Sequence, residues 1–329
     1  MTIIWPEEKT MKHPLFSAAL AVMFGCAGVA LAQDKYPVKP IRMIVGYAPG
    51  GGSDIMGRLI APQIAEVLGQ QVIVENRAGQ AQNIAAEYIV RQPADGYTLF
   101  LSSAALGVNA TLYPKLNYDP VKDFIPVAVF ASSANLLLTH PSLPAKTVKE
   151  FVAVVRKNPG KLNYSSSGSG STQHLSGEML KLFIKGDFTH IPYKGTGPSL
   201  AALASGEVEF SFSNIPAAQP LISRMRVLGI TSEKRSTLMP EVPTMIEGGL
   251  PGFVTQTWYG VLVTRGTPQP IVNTLNSIIV KAVQREDFRN RILQMGSDPI
   301  AESPEYFRKM LAEEIERWGK VIRASGIKP

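Results

Sequence analysis

The chain has 329 residues, of which 45% are hydrophobic and 18% charged, with a formal net charge of +7 and a single cysteine. This composition excludes a disordered or fibrous protein, and two domains are the leading expectation because one core rarely grows past roughly 250 to 300 residues. Basic residues alternate with acidic ones, as over residues 309–317, and no aromatic-basic motif occurs, so the positive field favours small anionic ligands and not nucleic acid.

Lys12 and His13 precede an uninterrupted apolar run over residues 15–31, which closes on Ala30-Leu31-Ala32 and gives way to Gln33-Asp34-Lys35. This reads as a secretory signal over residues 1–32, cleaved after Ala32; a membrane span needs ~20 apolar residues. Glu7 and Glu8 sit oddly upstream of the basic region and leave Met11 as an alternative start. Cys26 lies inside the apolar run, where it could be the acylated cysteine of a lipoprotein, but Met23-Phe24-Gly25 before it matches that pattern weakly. The mature chain then has no cysteine, which excludes disulfides, thiolate metal sites and cysteine nucleophiles. Export without disulfides points to a bacterial periplasm.

From residue 41 the pattern is a strand over 41–45, a break at Pro49-Gly50-Gly51-Gly52, and a helix marked by Ile55, Leu59, Ile60, Ile64, Val67 and Leu68. Pro62 is expected to kink that helix or end its first segment. A strand over 71–75, a helix over 83–91, a turn at Asp95-Gly96 and a strand over 98–102 follow. This alternation implies an α/β fold with a mainly parallel sheet. Two strands, 125–131 and 135–139, flank a short polar stretch where the chain crosses into a second lobe. There the unit restarts with a helix over 148–156, a strand over 162–165, a loop over 166–171 and a helix over 172–183. A helix over 198–204 and strands over 208–212 and 227–231 complete it, and a strand over 257–263 returns to the first lobe. Residues 270–295 and 304–325 are helical by spacing. The expected division is 33–133 with 256–329 as lobe I and 134–255 as lobe II, two doubly wound lobes joined by two β crossovers around a hinged cleft.

Two glycine-rich turns lead into helices: Pro49-Gly50-Gly51-Gly52-Ser53-Asp54, and Ser167-Gly168-Ser169-Gly170-Ser171-Thr172. Such a turn lets backbone N–H groups approach an anion at the positive end of a helix. A single one is as well explained by tight turning and helix capping; two equivalent turns in two lobes favour an anion site. Asp54 is expected to cap its helix, the other role being a general acid or base for which no partner carboxylate is near. Asn76 and Arg77 lie at a strand end, where α/β ligand sites form, or brace the loop. His174 either bonds a carboxylate or fixes the second loop, and His190 is structural. The histidine spacing offers no zinc site, and no GxSxG, GxGxxG or GxxxxGK[ST] motif is present. No metal, cofactor or catalytic residue is expected; a periplasmic hydrolase built from a serine, His174 and an aspartate is a remote alternative.

Together the motifs resemble the Bug-type periplasmic solute receptors of tripartite tricarboxylate transporters. The resemblance is carried by Pro49-Gly50-Gly51 with Asp54 and Arg58, by Val74-Glu75-Asn76-Arg77-Ala78-Gly79, and by Asp95-Gly96-Tyr97-Thr98-Leu99. Tyr118-Asp119-Pro120, Ser169-Gly170-Ser171 with His174-Leu175, Pro192-Tyr193-Lys194-Gly195, and Pro251-Gly252-Phe253 with Trp258 extend it over nearly all the mature chain. It implies a type II periplasmic binding-protein fold that closes on an organic acid, with a membrane transporter as partner; a monomer is expected, although the sequence does not show whether the mature chain dimerises. It places in the pocket Tyr47, Ala48, Gly51, Gly52, Ser53 and Asp54 from one lobe, Gly168, Ser169, Gly170, Ser171, Thr172 and His174 from the other, and adds Ser102, Ser103 and Ala104 at a strand end. Two stretches depart from the family pattern, Gln80-Ala81-Gln82-Asn83 after Gly79, and Phe212-Ser213-Asn214 where Phe-Asp-Asn is common. If the second faces the ligand, Ser213 lacks the partner an amino group needs, which favours aromatic or aliphatic mono- or dicarboxylates over amino acids. A sensor feeding a signalling partner would use the same cleft.

Overall fold

The computed structural model describes residues 1–5 and 36–328; the expected signal peptide, Cys26 and the cleavage site after Ala32 lie outside them. Met1–Val38 and Lys39–Pro329 form separate units, and the second carries the features below.

The apolar run at its start makes β1 (Ile41–Val45), followed by α1 (Gly52–Leu68), β2 (Val72–Asn76), α2 (Asn83–Ile89), β3 (Thr98–Ser103) and α3 (Ala105–Leu112). β1 pairs in parallel with β2 and with β3, as strands joined through helices must. Pro62 does not end α1, which runs unbroken through it. Pro62 and Arg58 are both on the exposed side, so the carbonyl that loses its N–H donor faces water.

β4 (Phe124–Thr139) is one strand of 16 residues, not two. Ser132 and Ser133 stay in the ladder opposite Trp258 and Thr257, and the register shifts fall on either side of them. Then come α4 (Val148–Lys157), β5 (Asn163–Ser166), α5 (Thr172–Ile184), β6 (Thr189–Pro192), α6 (Thr196–Ser205), β7 (Phe210–Asn214), α7 (Ile215–Ala218), a 3-10 turn (Gln219–Arg224) and β8 (Arg226–Ile230). The chain finishes with β9 (Gln256–Thr264), α8 (Gln269–Gln284), α9 (Glu286–Gln294), β10 (Asp298–Pro299) and α10 (Pro304–Ser325). The helical stretch expected over 270–295 is split by Arg285, which is extended at φ −68°, ψ 131°.

The sheet order is β2-β1-β3-β9-β4-β7-β5-β6, with β8 and β10 also paired to β4. It is mixed and not mainly parallel: the parallel strands form two wings, while β3, β9, β4 and β7 run antiparallel between them. β4 pairs with β9 as far as Ala134 and with β7 from Asn135 onward. Two lobes joined by the crossing segments at β4 and β9 result. β4 also feeds cores on both sides of the sheet, as period-2 alternation requires. Leu137 packs with Phe151, Tyr164 and Phe210, and Leu136 and Leu138 pack with Leu200, Leu203 and Ile230. The first lobe has its own core of Ile44, Phe100, Val129, Trp258, Leu262 and Phe307. Burial of each such side chain contributes about 1.5–3 kcal/mol, enough to fix the strands that carry the cavity between the lobes.

Candidate functional site

That cavity is lined by Tyr47, Gly51, Gly52, Ser53 and Ser103 of the first lobe, by Ser167, Thr172, Gln173, Thr196 and Asn214 of the second, and by Thr257 and Tyr259 of β9. The N-termini of α1, α5 and α6 meet there. The first-turn amides of each helix have no acceptor within it, and each terminus carries about half a positive charge. The hydroxyls of Ser53, Thr172 and Thr196 have no hydrogen-bond partner among the described residues, although all three residues are buried. Among the described residues, no charged side chain lines the cavity. An arrangement of neutral donors around a positive focus can hold an anion by its oxygens without proton transfer. The enclosed space is ≈ 10 Å³, about what one water needs, so a solute of several carbons can enter only when the lobes part.

Asp54 does not cap α1, whose N-cap is Gly51 with no side-chain cap bond. From the third helical position its carboxylate turns back, accepting the Gly50 N–H at 3.0 Å, Arg58 Nε at 3.0 Å and Asn76 Nδ2 at 2.9 Å. Burial pushes this carboxyl up, and the bonds from Arg58, Gly50 and Asn76 outweigh that and hold it below its usual value. Asn76 Nδ2 also donates to the Tyr47 carbonyl at 2.9 Å. Asp54 and Asn76 are therefore the frame behind the first loop and do not line the cavity. Arg77 stacks 3.7 Å over Tyr88, also away from it.

The second loop is framed by its own serines and His174. Ser171 caps α5, accepting from His174 N, and the Gly170 N–H donates to His174 Nδ1 at 3.1 Å. The His174 ring stacks on His190 at 4.0 Å, and His190 Nε2 meets Ser166 Oγ at 2.6 Å. His174 thus fixes the loop from behind, with the ring neutral: burial pushes it down to about 4, against the pull of Glu178. Gly170, at φ 97°, has a conformation that suits glycine, and a Cβ there would come within 2.5 Å of Asn109 Oδ1 across the cleft.

The stretch Gln80-Ala81-Gln82, which departs from the family pattern, adopts three consecutive left-handed conformations, φ 48°, 43° and 70°. Such conformations are unfavourable for side chains with a Cβ, and hydrogen bonds hold them in place. Gln82 Nε2 donates to Ser103 O, while its Oε1 accepts from Ser103 N and Ser102 Oγ. Asn109 Nδ2 donates to Ala81 O at 2.8 Å. This segment abuts the second loop at Gly168 and Gly170. Among the described residues three hydrogen bonds tie the lobes: Ala48 N to Lys194 O at 3.2 Å, Tyr113 OH to Ser169 O at 3.1 Å, and Gln219 Nε2 to Gln294 O at 3.0 Å.

Of the residues expected in the pocket, Tyr47, Gly51, Gly52, Ser53, Ser103, Ser167 and Thr172 line the cavity. Ala48 is a lobe contact, Asp54, Ser171 and His174 support the loops, and Gly168, Ser169 and Gly170 face the first lobe beside the cavity. Ser102 bonds Gln82, and Ala104 belongs to the first lobe's core. Ser213 does not face the cavity: its Oγ donates to the Asn214 carbonyl at 3.1 Å, while Asn214 lines the wall and caps α7 through Ala217 N. The preference against amino acids drawn from Ser213 therefore loses its premise. Sequence reasoning missed Gln173, Thr196, Asn214, Thr257 and Tyr259. Gly195-Thr196-Gly197-Pro198 and Asn214-Ile215-Pro216 were the available signals, each a helix start with proline in its first turn.

Comparison with known proteins gives a consistent picture. Residues 56–327 match the model of the tripartite tricarboxylate transporter family receptor. BugT of Bordetella pertussis is 36% identical over 94% of this chain and 97% of its own length. An R. palustris protein solved with adipate superposes with a TM-score of 0.87 at 36% identity, covering 89% of this chain and 99% of that one. MatC from Rhodopseudomonas palustris with bound malate does so with a TM-score of 0.83 at 35% identity, over 87% and 100%.

Proposed function

The chain belongs to the tripartite tricarboxylate transporter receptor family, and from that premise we propose that it captures a small organic carboxylate between its lobes and hands it to the membrane components of a tripartite tricarboxylate-type transporter. Receptors of this family are periplasmic binding proteins and not enzymes. The observation that supports the ligand class is the meeting of three helix N-termini with unpaired hydroxyls on one cavity that has no charged side chain among its described lining residues. The amides of α1 receive the carboxylate in the open cleft. Those of α5 and α6 reach it only on closure, and this difference in contacts is what a ligand needs to favour the closed form. Residues 134–135 and 255–256 are the hinge, with the remainder of β4 and β9 staying with their sheets.

Two relatives of more than a third identity are solved with malate and adipate, which puts aliphatic dicarboxylates first among candidates, with aromatic acids next. The test is thermal unfolding of residues 33–329 against malate, succinate, adipate, benzoate, glutamate and glucose. A carboxylate is expected to raise the midpoint progressively with concentration, by linkage. A rise with glucose alone, or with none of the acids, would contradict the carboxylate assignment.

A further inference from the structure

Tyr259 lies on β9 opposite Ser103 of β3. Its side chain is 1% exposed, it lines the cavity, and its hydroxyl has no hydrogen-bond partner among the described residues. A buried hydroxyl without a partner destabilises a fold, and phenylalanine would fill the same space without that cost. The neighbouring phenol does not relieve it, because Tyr47 OH pairs with Ser103 Oγ at 3.4 Å. Burial pushes the Tyr259 phenol up from its ordinary value, so it remains an O–H donor. The hydroxyl sits beside the first turn of α1, where a Cβ on Gly52 would approach it to 2.5 Å. It therefore adjoins the amides to which the first lobe's share of an anion is assigned.

We propose that Tyr259 is a ligand-contacting donor, giving its O–H to an oxygen of the carboxylate seated on the first turn of α1. The inference rests on the carboxylate-receptor reading. The bond is made only when ligand is bound, so the hydroxyl weakens the empty protein and strengthens the complex. It also makes the site selective for an acceptor at this position, disfavouring the primary amide of the same acid, whose NH2 group would meet a wall of donors.

The test is Tyr259→Phe, titrated calorimetrically with malate, adipate, benzoate and benzamide, alongside the unfolding midpoint without ligand. The Kd for the acid that wild type binds should rise about 10- to 100-fold, as for a hydrogen bond to a charged group. The midpoint of the empty variant should equal or exceed that of wild type, and any preference for benzoate over benzamide should shrink. An unchanged Kd, a lower midpoint or a variant that does not fold would each overturn the proposal, the last two because the hydroxyl would then be supporting the fold. As a second readout, wild-type protein labelled with 3-fluorotyrosine should show one resonance, absent from Tyr259→Phe, that shifts on saturation with the acid; no shift would overturn the proposal. Wild-type protein that binds none of the acids would instead refute the carboxylate-receptor reading.

Discussion

Gly52→Ala is expected to weaken carboxylate binding about 5- to 150-fold while leaving the empty protein folded. A Cβ at this position would lie 2.5 Å from Tyr259 OH and closer still to Asn214 Oδ1. Asn214 belongs to the other lobe, and its Oδ1 is held by Ala217 N at the start of α7, so it cannot swing aside without uncapping that helix. The added methyl therefore wedges the lobes apart in the closed form. Overpacking of this kind costs about 1–3 kcal/mol, which gives the stated range at 1.4 kcal/mol per tenfold. In the open form the contact with Asn214 is absent, and the Tyr259 side chain of the same lobe has only to shift by the margin its hydroxyl requires. Calorimetric titration and an unfolding curve of the empty variant check both halves; wild-type affinity would show that closure leaves room beside Gly52.

The second large effect is on stability against pH. His174 and His190 are stacked and buried, and burial pushes them down from the ordinary 6.5 to about 4 and about 2, His190 further because a charged His174 would repel it. Glu178 draws His174 up and Lys181 pushes both down. The unfolded chain thus binds more protons than the folded one between pH 6.5 and 4, so stability is complete above about 6.5 and falls as pH is lowered. For His174 alone the loss by pH 4 is on the order of 3 kcal/mol. Carboxylates held below their usual values, such as Asp54 and Glu75, lose their stabilisation only below about pH 4.5, so the two windows separate. Denaturant unfolding at pH 7, 6, 5 and 4.5 should show the decline, and His190→Gln should flatten it; a wild-type stability constant over that interval would contradict the account. Protonation of the folded His174 ring, reached only near pH 4, also removes the acceptor of the Gly170 N–H, so the second loop loosens there and not over the earlier decline.

Both glycine loops were legible in the sequence because strand, glycine turn and helix are contiguous there, and their first-turn residues Gly52, Ser53 and Thr172 do reach the cavity. What the sequence hid is parity and long-range pairing. Ser102 and Ser103 are adjacent on β3, yet only Ser103 faces the cavity; Ser213 and Asn214 differ in the same way on β7. A one-residue change moves a strand side chain to the opposite face, and polar runs such as Phe210-Ser211-Phe212-Ser213-Asn214 do not declare which face binds. Tyr259 comes to the site through the pairing of β9 with β3, more than 150 positions apart in the chain, and no local pattern marks it. The continuous β4 was missed because Ser132 and Ser133 read as a break, whereas both stay in the ladder with β9 and the Ser133 hydroxyl finds backbone acceptors in Ala134 O and Gly296 O.

The most direct test of the central claim is a crystal structure of the protein grown with adipate or malate. One carboxylate is predicted between the lobes, within hydrogen-bond distance of amides at the starts of α1, α5 and α6 and of Tyr259 OH. A ligand seated instead in the open groove of ≈ 450 Å³ beside Ile215, Lys234 and Ser297, with the three helix starts untouched, would contradict it.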